Sequence, residues 1–357
     1  MSALFNPDML TLARESRALS QTELARTVGR TPGYVNKVER GFIQPNDVQI
    51  AAFGKALRYP TTFLTSQERV VGYDSPCLYH RKRKTLQVRV LAQVTARMHA
   101  LRLHVRWLLR DLEIEPAFTF HSLDPDEFGG PELVAQALRR AWGLPRGPVP
   151  NLTEVIEAAG GVVTLADFGT TKLDGMSCWE KNGPPFFYLN SAMPPEVLRF
   201  TLAHEIGHLV MHLHPTSDPE GEADRFAAEF LMPAADIRGQ LQNLQFAKLG
   251  PLKEYWRSSM KNLITRAARL DVITPGRSRS LYVQLSQKGY LASSEPYPLE
   301  PEIPQTIRRA LAIHVHQHRY SVADLATLSR MDEDEWMATF GPDLPDSKRR
   351  RLHAVST

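Results

Sequence analysis

The stretch HEIGHLVMHLH, residues 204–214, places four histidines and one glutamate within eleven residues. Its reading decides what the middle of the chain is. Leu198, Leu202, Ile206 and Leu209 recur at helical spacing, which predicts one continuous helix through LRFTLAHEIGHLVMH. On such a helix His204 and His208 stand one turn apart, where two imidazoles can reach the same ion. Glu205 lies beside His204, in place to remove a proton from a metal-bound water. A polar patch on an ordinary amphipathic helix is the competing reading, and the HExxH spacing alone does not exclude it. Apolar flanks before and after the motif favour the metal.

Catalytic zinc generally has three protein ligands and one open position. His212 continues the series, but three histidines along a straight helix span roughly 12 Å and cannot converge on one ion. His214 falls where HExxHxxGxxH places its last histidine. That pattern needs the chain to break away at its glycine, and Met211, a good helix former, stands there. The third candidate lies in DPEGEADRFAAEFLMP, residues 218–233. Asp218 can cap a helix whose first position is Pro219. Ala223, Phe226, Ala227, Phe230 and Leu231 form its buried stripe; Glu220 lies close to that stripe and Glu222 points largely away. Asp224, one turn after Glu220, can steady a ligating histidine through its free ring nitrogen. We therefore assign His204, His208 and Glu220 as ligands of Zn2+, Glu205 as the base and Asp224 as the outer support, with Glu222 as the alternative ligand. The plain alternative is that acids near a helix N-terminus only favour the helix dipole.

A second informative stretch is LSQTELARTVGRTPGYVNKVERG, residues 19–41. It has the layout of two short helices joined by a tight turn. Leu24, Ala25 and Val28 give the first helix a buried face, and Gly29 lets the chain turn. Thr31 caps the second helix, with Pro32 at its first position. Val35 and Val38 face inward, leaving Gly33, Tyr34, Asn36 and Lys37 outward. Such a face suits a DNA major groove: Asn36 can read base edges, while Lys37 and Gln21 can contact phosphate. A helical bundle used for protein contact is the competing reading.

Composition bounds the rest. No apolar run approaches the roughly 18 residues of a membrane span, and MSALFNPDMLTLARE, with its acidic residues, is no secretory signal. The two cysteines, Cys77 and Cys178, are far apart, which argues against a disulfide scaffold and for a reducing cytoplasm. Net charge is only +4, so the basic runs HRKRK at 80–84 and KRRR at 348–351 read as solvated faces. Residues 1–65 read as a helical DNA-binding domain, 66–150 as a connector and helical region, 151–235 as an α+β core and 236–357 as mostly helical. Within the core, GVVTLADF and PPFFYLN (184–190) are β-rich. PPFFYLN reads equally as an edge strand holding an extended peptide or as a buried strand. Cys178, placed just before it, reads as packing. His212, His214 and Tyr188 are the candidates for stabilising an oxyanion.

Resemblance adds to this reading. Leu19 to Gly41 resembles the Cro/phage-repressor (XRE) type of helix-turn-helix, LSQxELAxxxGxSxxxIxxxExG, with Thr31 for the usual serine and Val35 for the usual isoleucine. Such domains usually bind as dimers, so a homodimer on operator DNA is expected. RFTLAHEIGH and EADRFAAEFLMP resemble the ImmA/IrrE family of zinc metallopeptidases, whose helices read HExGH and ExxA[ND]xFAAxLLMP. Arg199 and Thr201 match the usual lead-in to that motif. Carried across, the family's ligands fall on His204, His208 and Glu220, and its catalytic glutamate on Glu205; Asp224 stands where many members have asparagine. LKEYWRSSMKNLITRAARLDVIT and LSQKGYLASSEP are similar to long members that carry a helix-turn-helix.

The implied fold is mainly α with an α+β part. It comprises an N-terminal helix-turn-helix bundle, a zincin-like metallopeptidase core and a helical C-terminal region. The implied function is a DNA-binding regulator that cuts a partner repressor, in stress or for a mobile element. The alternative is a regulator or antitoxin whose peptidase-like domain only senses a ligand or metal. SVADLATLSRMDEDEWMATFG, residues 321–341, echoes a second helix-turn-helix, but without the glycine turn or a basic second helix, so a packing role is expected.

Overall fold

The computed structural model describes residues 4–68, 78–82, 87–113, 115–180, 183–214, 216–291 and 295–345, with the backbone alone over 78–82. The chain opens with helices α1 (Pro7–Ser16), α2 (Gln21–Thr27), α3 (Pro32–Glu39), α4 (Asp47–Leu57) and α5 (Thr61–Leu64). Strand β1 (Leu78–Lys82) and the long α6 (Val88–Leu109) follow. Helices α7 (Pro125–Phe128), α8 (Pro131–Ala141) and α9 (Leu152–Ala158) precede strands β2 (Val162–Ala166), β3 (Leu173–Cys178) and β4 (Phe186–Asn190). Next come α10 (Pro195–Met211), α11 (Pro219–Leu231), α12 (Ala234–Leu241), α13 (Phe246–Trp256), α14 (Met260–Arg269) and α15 (Pro275–Gln287). The last helices described are α16 (Thr306–His316), α17 (Val322–Leu328) and α18 (Glu333–Phe340). This is the mainly α chain with one α+β part expected from the sequence.

Packing divides these elements into two compact units. One gathers α1–α6 with α16–α18, and the other gathers β1 with everything from α7 to α15. The grouping crosses the segment boundaries expected at 65 and 236. Its cause is α6, whose Ala96, Ala100, Leu103 and Trp107 join one apolar cluster with Leu10, Ala13, Leu24 and Val35. The connector expected at 65–77 lies outside the described residues from position 69 on, as do Cys77 and the KRRR run. Of the HRKRK run, only the backbone of 80–82 is described.

Local chemistry explains the first unit's opening helices. Ser20 and Glu23 form a capping box that starts α2. Thr31 accepts a hydrogen bond from Tyr34 N, and Pro32 takes the first position of α3. Between the helices Gly29 sits at φ +64°, a conformation that costs glycine little.

In the second unit the strand order is β1-β3-β4-β2, with β2 parallel to β4 and the other pairs antiparallel. PPFFYLN therefore forms an interior strand, buried at every position of β4, and the edge-strand reading is corrected. Its alternate residues are apolar on both faces, which is the pattern of a strand covered on both sides. Cys178 ends β3, ahead of β4, and is buried.

Helix α10 is the central element of this unit. It packs on β3 and β4 and against α8, α9 and α11, and it is buried all the way from Arg199 to Met211. The apolar stripe read from the sequence is thus only one of its covered faces. Its start is tied down by charge. Lys253, wholly buried, bonds Glu196 (2.6 Å) and also pairs with Glu295 (3.1 Å). Arg199 donates to Val149 O (2.7 Å) and Arg257 O (3.1 Å) and pairs with Glu302. Helix α11 begins as expected, with Asp218 accepting from Gly221 N (3.1 Å) and Pro219 in the first turn.

The two helices approach most closely at Gly207. A Cβ there would stand 3.0 Å from the Phe226 ring and 3.3 Å from Ala223 Cα. Phe226 is fully buried and cannot swing aside into solvent. Gly207→Ala is therefore expected to destabilise the fold by about 1–3 kcal/mol in denaturant unfolding, the usual cost of overpacking. An unchanged midpoint would mean the helices separate freely.

Candidate metal centre

The close pairing of α10 and α11 brings three expected ligands together. His204 Nε2 and His208 Nε2 are 3.0 Å apart, and the Glu220 carboxylate lies 3.5 Å from each. The ligand atoms of these three residues all fall within 4.8 Å of one another. Both histidines are buried, whereas the Glu220 side chain is 59% exposed, so the group opens to solvent on the α11 side. Asp224 Oδ1 is 2.9 Å from His204 Nδ1, which turns Nε2 of that ring toward Glu220. Glu222 does not join them. It bonds His212 Nε2 (3.0 Å) and accepts from Thr216 (2.8 Å).

His212 closes α10 as its C-cap and touches His208 through their Nδ1 atoms at 2.8 Å, one of which carries the proton. A chain Glu222–His212–His208 thus orients the second ligand as Asp224 orients the first. His212 lies beyond His208 along the helix, and its Nε2 meets Glu222 and not the His204–His208–Glu220 group. His214 is exposed past the helix end. Tyr188 stacks on Phe168 (4.7 Å) and pairs in register with Met176. Strand alternation puts it on the sheet face opposite Ser177, so it is corrected as an oxyanion candidate.

Ser177 is the residue that sequence reasoning missed. Its Oγ donates to Glu205 Oε2 at 2.5 Å, with both residues fully buried. Nothing local marks it, because the contact joins a strand to a helix and the serine belongs to no motif. It fixes the carboxylate plane beside His204.

The electrostatics fit a cation. Burial opposes charge on His204, but its bonds to Asp224 and Glu220 and the nearby Glu205 outweigh it, and its pKa is raised to about 9. Burial also opposes ionisation of Glu220, yet its bonds to His204 and His208 hold the carboxyl well below the usual carboxylate range. Burial pushes His208 down, against the pull of Glu220. The acids therefore draw one positive charge into the group, and two imidazoles with one carboxylate are a donor set that zinc accepts.

The helix-turn-helix presents a second constellation. Gly33 and Lys37 are exposed on α3, and Thr31 at its start is exposed too. Asn36 Nδ2 donates to Gln21 Oε1 (3.3 Å), Gln21 donates to Glu39 (2.7 Å), and Arg14 clamps Glu39. Gln21 and Asn36 are therefore half-buried partners that orient each other. Tyr34 lies under Arg30, whose guanidinium is 5.5 Å from the ring centroid.

Two comparisons bear on these sites. Residues 156–267 match the peptidase family described as the IrrE N-terminal-like domain, and residues 10–64 match the helix-turn-helix family. The chain carries an IrrE-like domain behind a helix-turn-helix. A search of curated proteins found no matching relative. The IrrE-like match spans β2–β4, α10, α11 and the start-anchoring Lys253, so the metal group sits inside it. It begins within α9 and leaves out β1, which the structure adds to its sheet.

The geometry of the IrrE-like domain separates the two acidic candidates. Glu220→Ala is expected to lower zinc affinity at least about 100-fold, on the scale of losing one ligand or its support. Glu222→Ala, measured by the same competition titration with a chromogenic chelator, removes only a support of His208 and is expected to cost less, about 10-fold. The reverse order would move the third ligand to Glu222.

Proposed function

We propose that this chain is a DNA-binding regulator whose IrrE-like domain is a zinc-dependent endopeptidase that cuts a partner repressor. The observation that carries the reading is the convergence of His204, His208 and Glu220 with Glu205 alongside. When bound, zinc supplies Lewis acidity to the scissile carbonyl and to the attacking water. Glu205 takes the water's proton on its carboxylate and later passes it to the leaving amine. Ser177 keeps that carboxylate in one orientation, so no rotamer freedom is lost as the proton moves. Asp224 and His212 hold the two histidine rings, each through Nδ1.

An extended substrate needs a strand edge, and β4 has none to offer. The outer edge of β3, the strand whose Ser177 bonds Glu205, is taken by β1, with Tyr79 opposite Ser177. A peptide that reached Glu205 along this edge would displace β1.

For the first domain, α3 enters the major groove of an operator, with Asn36 at base edges and Lys37, Gln21 and Thr31 near the backbone. The Gln21–Asn36 bond keeps the amide from wandering before contact. The working place is the cytoplasm, and no described helix is long and apolar enough to cross a membrane. Tethering the peptidase to DNA raises its local concentration near a DNA-bound repressor. The release of repression serves a stress response or a mobile element.

Coexpression of the chain with repressors encoded nearby tests the reading. Wild type is expected to cut one of them, and Glu205→Gln, with zinc retained, to lose at least about 10²-fold in rate. No cleavage by either form, or equal cleavage by both, leaves a metal-sensing regulator as the function. Separately, Asn36→Ala is expected to weaken specific operator binding by about 1–3 kcal/mol in a gel-shift titration. Unchanged affinity and specificity would remove Asn36 from the groove.

A further inference from the structure

We infer that residues 306–344 are a second, divergent copy of the helix-turn-helix, kept as a fixed partner of the first copy and not as a DNA reader. The two stretches correspond element by element at one constant separation along the chain. Helix α16 stands for α1, and both are followed by a residue in the left-handed conformation, Ala18 (φ 54°) and Arg319 (φ 62°). Ser20 and Ser321 then open α2 and α17 with capping boxes, closed by Glu23 and Asp324. Leu24 and Ala25 correspond to Leu325 and Ala326, identical and buried in both copies. At the turn, Gly29 (φ 64°) corresponds to Arg330 (φ 53°). The backbone bond that closes it recurs, from Arg30 N to Ala25 O (2.8 Å) and from Met331 N to Ala326 O (2.9 Å). Thr31 and Asp332 cap α3 and α18, and the buried Val35 becomes the buried Trp336.

The missing glycine is accounted for. A side chain at this left-handed position is strained, because its Cβ crowds the following carbonyl oxygen. Arg330 offsets this with its side chain, which lies 4.5 Å over the Trp107 ring and donates to Thr62 O (3.2 Å).

The second copy differs from the first on the face that would read DNA. Where α3 shows Gly33, Asn36 and Lys37, α18 shows Asp334, Met337 and Ala338, with Glu333 exposed beside them. Such a face is repelled by phosphate. It also has another occupation. Glu335 accepts two bonds from Arg17, both 2.6 Å, at the end of α1. Helix α6 joins the copies from the other side: His104 Nδ1 is 2.7 Å from Ser329 O, while its ring stacks near Tyr59 and Phe63. His314 Nε2 reaches Leu108 O (2.7 Å). These contacts lie on α1, α5 and α6 and leave α3 exposed. Each chain therefore offers one reading helix, steadied by a partner of its own.

The test uses the full chain and two readouts. Hydrogen exchange of α1, α4 and α5 is compared in wild type, Trp336→Ala, which empties the second copy's core, and Glu335→Gln, which breaks only the pair with Arg17. The bracing role predicts exchange faster by at least about tenfold in Trp336→Ala and by a smaller factor in Glu335→Gln. If Trp336→Ala does not fold, Glu335→Gln decides. Unchanged exchange of α1, α4 and α5 in the deciding variant overturns the inference. The second readout is affinity for a random-sequence duplex of about 30 base pairs at fixed salt. Glu333→Lys with Asp334→Lys is expected to leave it within about twofold, and a gain of about tenfold would place α18 on DNA and overturn the non-reader half. This arm alone rests on α3 as the reader. A Lys37→Glu control that changes nothing would fail that reading while the exchange result stands.

Discussion

Two helices held at contact distance by one glycine set the geometry of this protein's chemistry. With Gly207 against Phe226 and Ala223, α11 lies close enough to α10 for Glu220 to reach both His204 and His208. A wider spacing would leave two histidines on a buried helix with no third donor. The surrounding structure serves the same end. Lys253 with Glu196 and Glu295, and Arg199 with Val149, Arg257 and Glu302, anchor the start of α10 so that its histidines cannot slide along the sheet. Burying so much charge is tolerated because every partner is present; removal of one member of such a pair costs more than the pair is worth.

The same spacing creates a charge problem that a cation solves. Glu205, Glu220 and Asp224 crowd the two imidazoles, and without another positive charge His204 keeps a proton, with its pKa raised to about 9. The chain has thus concentrated acceptors and lone pairs around a space bounded by Nε2 atoms and a carboxylate. Both ligand histidines are oriented through Nδ1, one by Asp224 and the other by His212 and Glu222, so the donor atoms are aimed before any ion arrives. On the sheet side, Ser177 does the same for Glu205.

Much of this was legible in the sequence where the signal is local. Gly29, Thr31 and Pro32 each act within a few residues, and they outlined the turn and α3 correctly. His204 and His208 needed only the helical repeat. Glu220 could be separated from Glu222 because Asp218 and Pro219 set where α11 begins, and hence its phase. What the sequence hid depends on distant contacts. Ser177 meets Glu205 across a sheet–helix interface. The interior place of β4 depends on β2 pairing along one of its edges while β3 takes the other. Helices α16–α18 pack with the N-terminal helices although most of the polypeptide separates them. The second helix-turn-helix copy showed in the sequence only as an echo, because Arg330 holds a conformation usually signalled by glycine, stabilised by Trp107 from another helix.

The central claim is that one zinc ion is held by two imidazoles and one carboxylate with a position left open. X-ray absorption at the zinc edge of the loaded protein measures this most directly. Two imidazole nitrogens are expected at about 2.0–2.1 Å, with the rest of the nearest scattering from oxygen at about 2.0–2.2 Å. Sulfur scattering at about 2.3 Å, or a shell with one imidazole or three, would contradict it.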